Sequence, residues 1–214
     1  MNEDIIPITY INASGGNFLC HFIVSAKRNI KDIIPLSKNG NTHEYGLKDI
    51  PSPSYGILTA DNIKINHILT QTPLDNKPYY TSAHISDGQL VHDNFKKSIR
   101  ITYDLDDIEE LTFIHLGKYT SDCENIALES VSTQMPFIKF RIKKYNEFFS
   151  KKYDSMLLVS WKEIYHNEPN ILITKLHEFT NIPKENFSIE QLLIWRDATK
   201  KCIETVTNIL KEKS

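Results

Sequence analysis

Cysteine is scarce in this chain, and what there is does not pair. Cys20, Cys123 and Cys202 are its 3 cysteines, they lie far apart, and none belongs to a C-x-x-C element. An odd, scattered set argues against a disulfide framework and against a zinc site, and leaves inert buried thiols as the expectation. His21, His43, His67, His115, His166 and His177 show no ligand spacing, so no metal is expected. An excess of positive charge is lacking too: 25 basic residues stand against 27 acidic ones, which gives no global field to draw in nucleic acid. No run approaches the ~20 apolar residues of a membrane span. The opening Met1-Asn2-Glu3-Asp4 is acidic, and no apolar stretch of the secretory kind follows it. The expectation is a cytoplasmic protein without membrane or nucleic-acid partners. Its 214 residues fit a single domain over 1–214, and a domain of that size buries roughly 70% of its unfolded surface without staples.

What is present is an alternation of strand and helix signals. Ile5 to Ile11 is β-branched and apolar and reads as a buried strand. Asn12-Ala13-Ser14-Gly15-Gly16 is a turn, and Asn17 to Arg28 reads as a helix with Phe18, Leu19, Phe22 and Ile23 on one face. From Asn29 to Asn76, Pro35, Gly40, Gly46, Pro51, Pro53, Gly56 and Pro73 punctuate the chain. That segment is expected to be an irregular surface excursion, with one short helix around Leu47 and with Ile63–Ile68 open to either strand or helix. Tyr79 to Ile85 reads as a second strand, Gln89 to Phe95 as a short helix, and Ser98 to Tyr103 as a third strand. Helices are expected over Asp106–Leu116, Asp122–Ser130 and Phe137–Lys151, a strand over Met156–Ser160, and helices over Asn170–Thr180 and Ser188–Lys211. Ser188 and Gln191 have the spacing of a capping box. The order predicts an α/β fold with a central parallel sheet flanked by helices.

The segment Ile8 to Phe18 carries the most chemistry. A strand ends, a glycine pair turns the chain, and a helix begins. Glycine permits positive φ and close approach of a ligand to the backbone. The first helical amides have no intrahelical acceptor, and with the helix dipole they form an anion site. Ser14 and Asn17 add a hydroxyl and an amide to the rim. Three named motifs do not fit. No Gly-Lys-Ser/Thr follows, as the nucleotide-hydrolase P-loop requires; G-x-G-x-x-G is absent; and Asn12 stands where the nucleophile elbow needs glycine. The competing explanation is a glycine pair that only makes a tight turn before a helix.

At these residues the chain resembles the sulfotransferases, whose first strand ends in a loop like P-K-S-G-T-T-W around the 5′-phosphosulfate of PAPS. Ser14-Gly15-Gly16-Asn17-Phe18 looks like its S-G-T-T-W portion. Thr81-Ser82-Ala83-His84 is similar to the family's strand ending K-T-H, and Lys97 to Tyr103 to its next strand, K-V-V-Y-V-x-R-N. Asp107-Ile108 looks like the D-V that opens the following helix. Leu157 to Ile164 resembles the strand ending Y-E-D-L, and Leu176 to Asn181 the helix ending x-F-L-G. The resemblance implies a P-loop nucleotide-binding-like architecture, PAPS as co-substrate, and sulfuryl transfer to a hydroxyl or amine of a small-molecule or glycan acceptor. It implies Ser14, Gly15, Gly16, Asn17, Phe18 and Thr112 as cofactor contacts and His84 as the catalytic base.

The chain also departs from the family. Ala13 falls where the loop cation belongs, and Tyr103 falls where an arginine grips the 3′-phosphate. Loss of the first removes an electrostatic stabiliser of the transition state. Lys27, Lys97, Arg100 and Lys118 are left as other sources of charge, and Arg196 matches the C-terminal basic segment by charge alone. His84 reads equally as a base facing the ligand crevice or as a histidine hydrogen-bonded at a strand end. Asp106, Asp107, Glu109 and Glu110 read as a helix N-terminus, and Tyr145, Phe148, Phe149 and Tyr153 as core. Tyr55, Tyr79 and Tyr80 are weaker candidates for an acceptor cleft. The alternatives to an active sulfotransferase are a catalytically degenerate binder of phosphate or sulfate ligands and a different nucleotide-dependent transferase.

Overall fold

A computed structural model describes residues 5–11, 15–31, 36, 58–60, 63–69, 97–119, 128–148 and 154–212. The apolar run Ile5–Tyr10 forms strand β1, and Gly16–Lys27 forms helix α1. Leu58–Ala60 (β2) and Ile63–Leu69 (β3) follow, then Ser98–Thr102 (β4). A 3-10 turn at Leu105–Asp107 leads into α2, Ile108–Tyr119. Helix α3 spans Leu128–Phe148 and strand β5 Met156–Ser160. Helices α4 (Trp161–Tyr165), α5 (Pro169–Thr180) and α6 (Ile189–Glu212) complete the described chain.

The strands form one five-stranded sheet in the order β2-β3-β1-β4-β5. β1 pairs in parallel with β3 on one side and β4 on the other, β4 is parallel to β5, and the edge strand β2 is antiparallel to β3. Helices pack against this sheet, so the α/β class and the parallel core are as the strand–helix alternation predicts. The chain crosses from β1 to β3 one way and reaches β4 and β5 the other. Strand order therefore reverses at β1, the place where open α/β sheets hold ligands beyond their carboxyl ends. No described helix is long and apolar enough to cross a membrane.

Two expectations change. Ile63–Leu69, left open within a surface excursion, is a full strand paired with β1 from Ile5↔Lys64 to Tyr10↔Leu69. A seven-residue segment between prolines and glycines carries no helical or alternating signal long enough to read. Its pairing with β1 makes it a strand, and that is a tertiary contact. The two helices expected on either side of Pro136 are one helix, α3, running through it. Proline lacks the amide for its hydrogen bond and crowds the preceding turn. Here Ile138, Arg141, Ile142 and Tyr145, at helical spacing, are all buried, and that stripe holds the helix continuous. The segments around Leu47, Tyr79–Ile85 and Gln89–Phe95 lie outside the described residues.

The core runs through both layers. Phe18 and Phe22 of α1 stack at 5.5 Å, and Phe18 stacks on Trp195 of α6 at 4.6 Å and 12°. Trp195 meets Trp161 edge-on at 6.4 Å, and Trp161 stacks on Tyr165 at 5.0 Å. This aromatic column ties α1, α4 and α6 into one body. Arg196 neighbours it: its guanidinium donates to the carbonyls of Ile164 at 2.8 Å, Asn167 at 2.7 Å and Glu163 at 3.1 Å. It closes the carboxyl end of α4, and so is not a cation free for a ligand. The Ser188 hydroxyl accepts from the Gln191 amide at 3.2 Å, as the capping spacing predicts.

Two outcomes are expected from these elements. Pro136 is exposed within α3, so Pro136→Ala should stabilise the fold by about 1–3 kcal/mol, read as a higher midpoint in denaturant unfolding. His115 on α2 is pushed down to about 4 from an ordinary 6.5, first by burial and then by the neighbouring Arg141. A histidine held neutral in the fold lends stability that is whole above its unfolded value and is withdrawn as pH falls toward the folded one. Thermal midpoints of the wild type should therefore fall between pH 6.5 and about 4, and His115→Gln should flatten that part of the profile.

Candidate functional site

The turn between β1 and α1 is built by its neighbours as much as by its own residues. Gly15 caps α1 in the left-handed conformation, φ 85° and ψ 7°. Side chains pay for that conformation, and glycine does not. The first intrahelical hydrogen bond runs from the Leu19 amide to the Gly15 carbonyl at 2.9 Å. The amides of Gly16, Asn17 and Phe18 precede it and so have no acceptor within the helix, the arrangement that favours an anion. A helix of twelve residues stands behind them.

The glycines have a second cause. A Cβ on Gly15 would lie 2.8 Å from two ring carbons of Trp195 and 3.9 Å from Ile164. A Cβ on Gly16 would fall within the ring of Tyr10. Both positions are thus closed by packing whether or not a ligand binds. The Cα face of the pair touches aromatic rings, so an anion would have to approach from the amide side.

The residues named from the sequence part company here. Gly15, Gly16 and the backbone of Asn17 come together at the turn. Phe18 is 1% exposed and stacked on Trp195, a core residue with no free face. Thr112 is fully buried on α2, and its hydroxyl donates to the carbonyl of Ile108 at 2.7 Å. The structure thus gives both of them packing roles. Ser14, Ala13 and His84 lie outside the described residues, as do Tyr55, Tyr79 and Tyr80. Both edges of β1 are taken by β3 and β4, so the strand beside the turn is Ile63–Leu69.

Tyr103, at the position of the family's 3′-phosphate arginine, is 3% exposed. Its hydroxyl accepts from the Ile11 amide at 3.1 Å. It meets Tyr145 edge-on at 5.4 Å. Tyr145 donates its own hydroxyl to the Thr9 carbonyl at 2.8 Å. Tyr145 is core, as its aromatic run predicts; sequence reasoning missed its meeting with Tyr103 and the place of Trp195, because these contacts join distant elements.

The electrostatics around the carboxyl ends of β4 and β5 are balanced rather than basic. Asp104 and Asp107 form a capping box. Lys162 lies 3.2 Å from Asp104 and 3.7 Å from Asp107. Burial lifts the Asp107 carboxyl, while the Asp104 amide and Lys162 draw it back. Glu163 closes a capping box with Ser160 and pairs with Lys175. His166 and Glu110 meet at 2.8 Å. The cations that could have served instead are elsewhere. Lys27 ends α1, about 1.5 Å per residue away from the turn. Lys97 precedes β4 and donates to the Phe179 carbonyl at 2.9 Å. Arg100 is 6% exposed in mid-strand, with burial lowering its pKa. Among the described residues no cluster of three or more His, Cys, Asp or Glu could hold a metal.

In comparison with known proteins, no family model, no curated protein and no solved structure matches this chain.

Gly15→Ala should cost on the order of 1–3 kcal/mol of stability from the left-handed backbone alone, with the Trp195 contact added to it. Chemical denaturation without ligand is the measurement. An unchanged midpoint would mean that Trp195 does not close this position.

Proposed function

We propose that the chain is a sulfotransferase-like protein that binds the phosphate or sulfate end of a ligand at the turn between β1 and α1. The observation that carries this is the arrangement at one point: parallel β1, where strand order reverses, leads through a left-handed Gly15 into a long helix whose first amides have no acceptor within the helix. Hydrogen-bond donors and the helix dipole then favour a negative group at the same spot.

PAPS fits this site in part. The turn suits one phosphate group. The described residues bring no unengaged cation to its second, 3′-phosphate: Tyr103 stands at the arginine position with its hydroxyl held by Ile11, and Arg196 is engaged by three carbonyls. That favours the degenerate binder, which has the cradle without the full cationic grip. When bound, PAPS would supply an activated sulfuryl group. An active transferase is the second reading, supported by the order in which the family-like segments Ser14–Phe18, Lys97–Tyr103 and Leu157–Ile164 follow one another along the chain. Its acceptor would be a small molecule or glycan, and its base His84.

The test is a thermal-shift and tryptophan-emission titration with inorganic phosphate, sulfate, 3′-phosphoadenosine 5′-phosphate and other nucleotides. Trp195 borders Gly15 and reports on the turn. A ligand at a hundred times its Kd should stabilise the fold by about 2.7 kcal/mol. No shift with any of these anions would sink the anion site. Preference for another nucleotide would point to a different transferase. Turnover of PAPS that disappears in His84→Ala would establish the enzyme over the binder.

A further inference from the structure

The sheet opens beside the turn. The ladder between β1 and β4 comprises Ile8↔Ile99 and Thr9↔Arg100. By contrast β1–β3 continues to Tyr10↔Leu69, and β4–β5 to Thr102↔Ser160. β1 and β4 therefore part at their carboxyl ends, where strand order reverses. The opening holds two buried phenols. Tyr103 enters from the residue after β4, and Tyr145 from α3. They cross edge-on at 74°.

Their hydroxyls bracket Tyr10. Tyr145 donates to the carbonyl of Thr9, the residue before it, at 2.8 Å. The amide of Ile11, the residue after it, donates to Tyr103 at 3.1 Å. Asn146, next to Tyr145, donates to the Tyr103 carbonyl at 3.2 Å, which ties the pair to one helix. Tyr10 in turn lies against the Cα of Gly16 so closely that no Cβ would fit. A continuous path of contacts thus runs from α3 through the two phenols to the last peptide groups of β1, to Tyr10, and to the first amide of α1. Ile11 lies past the last ladder pair of β1, and its amide donates to the Tyr103 hydroxyl rather than to a strand. Burial raises the Tyr145 phenol above its ordinary range, which keeps it a neutral donor.

We infer that Tyr103 and Tyr145 are positioning residues for the anion-binding turn: they wedge β1 from β4 and set where the amides of Gly16, Asn17 and Phe18 stand. This rests on the proposed anion site. Anion binding through backbone amides depends on their placement, because donors that are already in place lose little on binding.

The test is a phosphate titration followed by backbone amide resonances in the full chain, wild type against Tyr103→Phe, with amide hydrogen exchange measured alongside. The wild type should show phosphate-dependent shifts at Gly16, Asn17 and Phe18. Tyr103→Phe should weaken phosphate binding about tenfold and speed exchange at Ile11, while exchange within α6 stays as in the wild type. A purely structural role would lower protection throughout and leave the affinity of the folded fraction unchanged, and that result overturns the inference while the anion site stands. Absence of shifts at the turn in the wild type removes the anion site itself and the inference with it. Should Tyr103→Phe not fold, Tyr145→Phe is measured in the same way and should weaken phosphate in the same direction. Unchanged affinity in that variant overturns the inference equally.

Discussion

The contact of the Trp195 ring with Gly15 sets the terms for the rest of the molecule. Trp195 comes from α6, near the far end of the sequence, and occupies the space where any other residue at position 15 would place its side chain. The same ring stacks on Phe18 and meets Trp161 edge-on. One indole thus fixes the start of α1 against the start of α4 and the body of α6. Aromatic pairs of this kind contribute about 0.5–1.5 kcal/mol each beyond the area they bury, so the column is stabilising as well as locating. The turn is held to the core through it.

That constraint alters how the glycine pair is understood. A Gly-Gly turn before a helix invites a ligand explanation, since glycine leaves room for an anion against the backbone. In this chain the room is already used by Tyr10 and Trp195. The two explanations are compatible only because they concern different sides of the backbone: the Cα side packs, and the proposed ligand would have to take the amide side. Glycine at these positions is therefore no evidence of binding by itself. The proposed anion site leans instead on amides that have no acceptor within the helix and on the place of the turn on the sheet.

The surroundings narrow the chemistry further. Basic side chains that a doubly phosphorylated ligand would call for are spent on structure: Arg196 on the carbonyls of α4, Lys97 on a carbonyl of α5, Lys162 on a carboxylate pair. A guanidinium giving its donors to several carbonyls has little left to offer. The proposed anion would accordingly meet backbone amides at the described mouth rather than these side chains. That mouth falls short of the electrostatic complement that sulfuryl transfer from PAPS would draw on.

The class of fold was legible because it depends on local patterns. The β-branched runs at Ile5–Tyr10 and Met156–Ser160 and the amphipathic faces of α1 and α6 carry their own periods, and their alternation implies parallel strands. The strand–turn–helix geometry was legible for the same reason. Features that depend on residues distant in sequence were not. β3 is a strand because β1 lies beside it, and α3 passes through Pro136 because a buried stripe outweighs one missing hydrogen bond. Thr112 and the Phe18 ring looked like ligand contacts by position, and both side chains are packed in the interior, which leaves Phe18 only its amide to offer. The amino-acid order alone determined that a glycine turn into a helix would follow the first strand. That its Cα side is closed was decided only when Tyr10 and Trp195 converged on it, because close packing gives each volume to one group alone.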